Sequence, residues 1–192
     1  MRIFKISLIV LICSLPLMAK AETETYTFDC KSSTIHSSIK YTVLGQYTAA
    51  FNDCSGTIQY DPAQKKVQSV DVQVKLKSIQ SNCTWCDHAA LSKRLLDART
   101  FPEITFESTG LKRSKTGGLV RGKLKVHGVT HDLESPFVLQ ETPKEGKDYL
   151  HIQGTWNIFR KDFNVTWNKY LDQGGVIVGD HVLVDWDIWA KK

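Results

Sequence analysis

The most reactive residue types in this chain are two cysteines three positions apart, in Cys83-Thr84-Trp85-Cys86. Such a pair can be a redox dithiol, half of a zinc site or a structural disulfide. Haem attachment requires His directly after the second cysteine, and Asp87 stands there instead. A zinc site would use His88 and a fourth ligand such as Cys54. The favoured interpretation is a structural disulfide, and a thiol-redox or metal-binding protein is the alternative.

Other polar groups give weaker indications of chemistry. His127 and His131 flank a short turn, but such residues are more often solvated turn edges than metal ligands. Arg160 and Asp162, beside Phe163, indicate a structural ion pair. The sequence contains no phosphate-binding glycine loop, no nucleophile elbow and no His-Glu-x-x-His motif. We therefore expect no catalytic residue, no metal, no cofactor and no enzymatic activity.

The elements that must position these groups are mainly strands, because apolar residues recur with a period of two. Val70, Val72 and Val74, for example, alternate with Asp71 and Gln73. Short turns rich in Gly, Asp and Pro separate such segments, which favours antiparallel pairing. One segment, near residues 87–97, has good helix formers and is predicted to be helical, with Asp87 as its N-cap.

About eight antiparallel strands must hide their edges, and closing the sheet on itself does so. The sequence therefore predicts an all-β fold, an extended antiparallel β-barrel of about eight strands with one helical segment. A barrel of this size has an interior that side chains can fill or that can hold one small ligand. A filled two-sheet sandwich is the alternative fold.

The N-terminus has the pattern of a cleaved secretory signal. Arg2 and Lys5 precede an apolar run over residues 6–17, and Ala19-Lys20-Ala21 offers a cleavage site. We expect residues 1–21 to be removed, leaving one domain over residues 22–192 in the periplasm. No stretch approaches the roughly 20 apolar residues of a spanning helix, so the domain is not expected to span a membrane.

Removal of the signal peptide changes the net charge and the number of cysteines in the mature chain. Loss of Arg2, Lys5 and Lys20 reduces the formal net charge from +5 to +2, and no basic run remains that would favour nucleic acid as a partner. The four remaining cysteines allow three pairings in an oxidising compartment. Proximity along the chain favours Cys83 with Cys86, and by elimination Cys30 with Cys54. Nothing in the sequence indicates an oligomeric state.

Four stretches of the chain carry a resemblance to a known family. They are Phe51-Asn52-Asp53-Cys54-Ser55-Gly56-Thr57-Ile58 with Tyr60-Asp61, then Phe101-Pro102-Glu103-Ile104-Thr105-Phe106-Glu107-Ser108, then Leu124-Lys125-Val126-His127-Gly128-Val129-Thr130, and finally Phe159-Arg160-Lys161-Asp162-Phe163-Asn164 with Val178-Gly179-Asp180-His181-Val182. In this order and spacing the chain resembles the YceI-like family of periplasmic lipocalin-like proteins, from Tyr26 to about Ala190.

The resemblance implies a barrel that holds a long isoprenoid chain, such as a polyprenyl phosphate or a quinone tail, and catalyses nothing. The bound lipid would be the ligand and the only partner that the sequence indicates. Residues of the inward parity are predicted to line the cavity: Ile39, Tyr41, Val43, Val72, Val74, Leu76, Phe106, Phe137, Leu139, Ile152, Trp156, Ile158, Val184, Trp186 and Ile188. One β-bulge would reverse the parity of every later residue in its strand.

Overall fold

A computed structural model of the chain describes residues 23–42, 45–114, 117–144, 147–169 and 177–192. The predicted signal peptide, residues 1–21, lies outside the described residues, and so does Val43. The described part contains these strands and one α-helix: β1 (Glu24–Asp29), β2 (Thr34–Tyr41), β3 (Gly45–Phe51), β4 (Cys54–Asp61), β5 (Lys66–Lys75), β6 (Ile79–Gln80), α1 (Thr84–Leu91), β7 (Glu103–Ser114), β8 (Gly117–Val126), β9 (Val129–Lys144), β10 (Lys147–Phe159) and β11 (Val178–Lys191).

All strands join one antiparallel sheet that closes on itself. The order is β1-β4-β5-β7-β8-β9-β10-β11, and β11 returns to β1 where Lys191 lies opposite Thr27. Strand β2 pairs with β11 on the same edge of β11 as β1 does, with Asp187 opposite Thr34, and β3 and β6 follow β2 in the sheet. The pairs β1/β2, β3/β4 and β5/β6 therefore act as three bent strands, and the barrel has eight staves. The predicted all-β barrel of about eight strands is confirmed.

Inward side chains follow the period-two pattern and meet tightly at one end of the barrel. Tyr26, Tyr60, Leu150 and Ala190 come from four adjacent staves and are at most 4% exposed. The rings of Tyr26 and Tyr60 meet edge-on with centroids 5.9 Å apart. We call these four residues the closed end, since their packing stops the barrel there.

The helix lies at the opposite end, and its predicted bounds are wrong. Helix α1 spans Thr84–Leu91 instead of residues 87–97, and its N-cap is Cys83, whose sulfur accepts a hydrogen bond from the Cys86 amide. Asp87 lies inside the first turn and is buried. Its side chain is used in tertiary contacts, which no local propensity predicts. After Leu91 the chain turns, because the Ser92 hydroxyl and amide both bond back to the Ala89 carbonyl.

Two disulfides join Cys30 to Cys54 and Cys83 to Cys86. Proximity along the chain favours the second pair, and elimination leaves the first. The first bond connects the end of β1 to the start of β4, where the bent staves change direction. The second encloses the first turn of α1, so it stiffens the segment that enters the helix.

Candidate functional site

The barrel encloses an elongated apolar cavity of about 300 Å³. This volume lies at the lower end of the range of about 300–1,000 Å³ that is usual for ligand pockets. The wall consists mainly of inward aliphatic and aromatic side chains from the staves, with Ser37 and Ser38 among its few polar residues. Among the described residues of the wall, Arg160 alone is charged. The site is therefore suited to an elongated hydrophobic molecule.

Most residues predicted to line the cavity lie on its wall. They are Ile39, Tyr41, Val72, Val74, Phe106, Phe137, Ile152, Trp156, Ile158, Val184, Trp186 and Ile188. They come together because inward side chains recur every second residue along a strand and meet inward side chains of the neighbouring strand, as the direct pairs Val72–Phe106 and Trp156–Val184 illustrate. The alternation of side chains across a strand is what made them predictable.

Two predicted lining residues lie elsewhere. Leu76 begins a 3₁₀ turn, Leu76–Ser78, and is fully buried in the core beyond the end of β5. Leu139 has the inward parity, but it lies beyond Phe137 beside Lys66 and Val67, outside the main cavity. Both side chains point inward as expected, but the cavity ends before it reaches them.

Sequence reasoning missed several wall residues on the strands and the wall residues that lie outside them. Trp85, Ala89 and Leu95 reach the cavity from α1 and the turn after it, and Val165 and Trp167 reach it from the segment before β11. These residues surround the opening, which we call the mouth. Trp85 is 68% exposed although it also contacts the cavity. Strand parity contains no information on such segments, and the apolar run after Cys86 was the only signal available.

Aromatic rings lie over glycines on the inner wall and shape the cavity. A Cβ atom at Gly154 would collide with the Trp186 ring, and one at Gly122 would collide with the Phe106 ring. Gly154 lies directly opposite Trp186 on the neighbouring strand. The missing side chains let the two rings lie against the sheet instead of projecting across the barrel, which leaves space along the axis.

A buried carboxylate fixes α1 at the mouth. Asp87 accepts hydrogen bonds from the Tyr47 hydroxyl and the Ser81 hydroxyl, each 2.7 Å long, and from the Ser81 amide at 3.0 Å. Burial works to raise the pKa of Asp87, but the bonds from Ser81 and Tyr47 outweigh it, so this pKa lies below its ordinary value. Burial, and then the bond to Asp87, raise the pKa of Tyr47.

A buried arginine holds the other side of the mouth. Arg160 donates to the carbonyl oxygens of Gly179 at 2.8 Å and Trp167 at 2.9 Å, and it contacts Asp180 at 3.2 Å. Burial lowers the pKa of Arg160, and Asp180 opposes that shift. The predicted ion pair of Arg160 with Asp162 is wrong: Asp162 is exposed, and the partner is Asp180, which the fold brings from the start of β11.

The two histidines that flank the β8–β9 turn have structural contacts. His127 Nδ1 lies 3.2 Å from the Phe163 carbonyl oxygen, and the His131 ring packs edge-on against the Phe163 ring. Within the described ranges, no group of three or more His, Cys, Asp or Glu side chains is placed to hold a metal ion. No helix of those ranges is long and apolar enough to cross a bilayer.

The fold and the cavity define a class, closed antiparallel β-barrels with an apolar interior. Within it, the chain belongs to the YceI-like family, since the YceI-like domain model matches residues 26–190. A UPF0312 protein of Yersinia enterocolitica is 32% identical over 130 residues, which are 67% of this chain and 68% of that protein.

Two solved structures share the fold. BcnA of Burkholderia cenocepacia superposes with a TM-score of 0.72 and 22% identity, over 84% of this chain and 98% of BcnA. A polyisoprenoid binding domain from Saccharophagus degradans, implicated in plant cell wall breakdown, superposes with a TM-score of 0.64 and 14% identity, over 88% of this chain and 99% of that domain.

Proposed function

We propose that this protein binds a long apolar lipid of the isoprenoid type inside its barrel and carries it without chemical change. The observation that supports this most directly is the enclosed apolar cavity, open at the mouth and stopped at the closed end. The polyisoprenoid binding of the Saccharophagus degradans domain, which shares the fold, is consistent with such a ligand.

The energetics of burial support an apolar chain as the ligand. Each buried CH₂ group contributes about 0.8 kcal/mol, and micromolar binding requires only about 8 kcal/mol. Ordering a flexible chain reduces the net gain considerably. A chain of tens of carbons still exceeds the requirement without any polar contact, so the apolar wall is sufficient for affinity.

The proposal includes a location. The N-terminal pattern of Arg2, Lys5 and an apolar run predicts export through a cleaved signal peptide, and two disulfides suit an oxidising compartment. We therefore propose that the protein acts in the periplasm. A lipid that is nearly insoluble in water needs a carrier there, which connects the location to the proposed role.

The test is to purify the protein from the periplasm, extract it with organic solvent and identify the lipid by mass spectrometry. A matched pair of variants localises the binding. Val184→Trp fills the cavity from β11, whereas Leu183→Trp places the same ring on the outer face one residue away. We expect an isoprenoid lipid from the wild type and from Leu183→Trp, and at least tenfold less from Val184→Trp. Equal lipid content in all three proteins, or an extract without lipid, would contradict the proposal.

A further inference from the structure

An apolar ring at the rim of the mouth faces solvent. Trp85, in the first turn of α1, is 68% exposed, the largest exposed fraction of any large apolar side chain in the described ranges. The next two, Val138 and Leu183, lie on strands and are 44% and 41% exposed. Trp85 also contacts the cavity, so its ring borders both the interior and the outside. Tryptophan is the residue type enriched at membrane–water boundaries, where one part of the ring is apolar and another part is wet.

Three cations follow this ring along the chain, in residues 84–100, which we call the cap segment. A backbone hydrogen bond closes a turn over residues 92–95 and places Lys93 and Arg94 at its tip. Arg99 lies in the turn that follows. All three side chains are exposed, and none of them forms an ion pair with another described residue.

The acidic residues of the cap segment leave these cations unneutralised. Asp87 is buried, and its carboxylate is bonded to Tyr47 and Ser81. Asp97 is half-buried. The solvent-facing side of the cap segment therefore carries an excess of positive charge, and it carries this charge close to an exposed tryptophan in the chain.

The other side of the cap segment faces the cavity. Ala89, Leu95 and Leu96 contact the interior, and the exposed cations Lys93 and Arg94 lie between these residues along the chain. The basic, tryptophan-bearing surface is therefore at the opening of the barrel. A flat partner that covers this surface would have the mouth directly against it.

We propose that the cap segment is a docking surface for an anionic lipid membrane, with Trp85 at the boundary between head groups and hydrocarbon and the three cations against the head groups. The proposal rests on the proposed lipid binding and adds the partner with which the lipid is exchanged. A barrel docked by its mouth takes up or releases a water-insoluble chain without exposing it to water. The positive charge selects an anionic bilayer, because each lysine or arginine near such a surface strengthens binding about fivefold.

The test is flotation of the purified protein with two kinds of vesicle. One kind is phosphatidylcholine alone, and the other contains equal parts of phosphatidylcholine and phosphatidylglycerol. We expect the protein to bind the anionic vesicles at least tenfold more tightly than the neutral ones, as two or more cations allow. High salt should weaken this binding, since it screens exposed charges.

Charge reversal at the cap segment localises the surface. Lys93→Glu with Arg94→Glu should lower binding to anionic vesicles at least tenfold and leave the extracted lipid unchanged, because neither side chain lines the cavity. Lys112→Glu with Lys191→Glu is the matched control, since it changes the net charge equally at exposed positions toward the closed end. The control should bind anionic vesicles within about twofold of the wild type, because these positions lie away from the docked surface.

The tryptophan is tested separately. Trp85→Ala should weaken binding to anionic vesicles several-fold, whereas Leu183→Ala removes an exposed apolar side chain from the outer wall and should leave it unchanged. The emission of Trp85, taken as the difference between the spectra of wild type and Trp85→Ala, should shift to shorter wavelength with anionic vesicles. An unshifted emission with bound vesicles overturns the docking surface, even where a charge-reversed variant fails to fold.

The remaining outcomes separate the docking surface from the proposed function. If the wild type floats with neither kind of vesicle, the membrane is overturned as the partner and a protein becomes the occupant of this surface, while lipid extracted from the barrel still supports the proposed function. If the closed-end control loses as much binding as the cap variant, net charge alone acts and the docking surface is overturned. If vesicles bind but the protein contains no lipid, the proposed function fails and the docking surface stands.

Discussion

The closed end and the mouth belong to the same barrel, yet different interactions stabilise them. At the closed end Tyr26, Tyr60, Leu150 and Ala190 pack against one another, and the wall has no space left. At the mouth, Asp87 bonds α1 to Tyr47 and Ser81, and Arg160 bonds the segment before β11 to the start of β11. Apolar packing closes one end, and buried hydrogen bonds fix the positions of the segments at the other end.

The largest effect should come from the mouth anchor on the β11 side. Arg160→Ala leaves several buried carbonyl groups without their donor and removes one of the two cations that bond Asp180, and we expect a loss of about 3–5 kcal/mol in the free energy of unfolding. Lys161→Ala is the matched control, because this exposed lysine bonds the same Asp180 at 2.7 Å and should cost less than about 1 kcal/mol. Urea denaturation measures both, and equal losses would show that Arg160 is not an anchor.

The next prediction compares a truncation in the packed closed end with one in the wall of the cavity. Leu150→Ala at the closed end, where Leu150 is 1% exposed, should cost about 3 kcal/mol because a void forms in packed surroundings. Ile158→Ala near the mouth removes a similar side chain from a wall that already faces open space, so about 1 kcal/mol is expected in delipidated protein. Chemical denaturation compares the two, and a larger loss for Ile158→Ala would reverse our assignment of the ends.

The disulfide at the mouth should have a smaller effect. Cys83→Ser with Cys86→Ser opens a four-residue loop, and we expect a loss of about 2 kcal/mol from the released entropy of the unfolded chain. Because Cys86 contacts the cavity, lipid content should also fall. Thermal unfolding and lipid extraction measure the two effects. Unchanged stability and unchanged lipid content would mean that the bond neither stiffens α1 nor supports binding.

The smallest effect is the acid dependence of the other mouth anchor. The folded pKa of Asp87 lies below its ordinary value of 3.8, so its stabilising contribution is present above that value and is lost as the pH falls through the folded pKa. We expect the difference in unfolding free energy between wild type and Asp87→Asn to shrink below about pH 4. Urea titrations between pH 7 and pH 3 measure it, and a difference independent of pH would contradict the assignment.

The strands were predictable and the mouth was not, for one physical reason. Val72, Val74 and Trp186 reach the wall because alternation along a strand is a local property. The partner of Arg160 was predicted as Asp162, two residues away, whereas the fold supplies Asp180 from β11. The N-cap of α1 is Cys83 and not Asp87, because the Asp87 carboxylate bonds Ser81 and Tyr47, and Tyr47 lies 40 residues away in the sequence.

The amino-acid sequence by itself determined the strand pattern, the side of each strand that turns inward and the membership of the family, since each depends on local order along the chain. Tertiary structure alone decided that the inward side chains of the central barrel leave a cavity while those at the closed end touch. The curvature of eight closed staves sets the width of the interior, and the glycines under Trp186 and Phe106 decide how much of it the rings occupy.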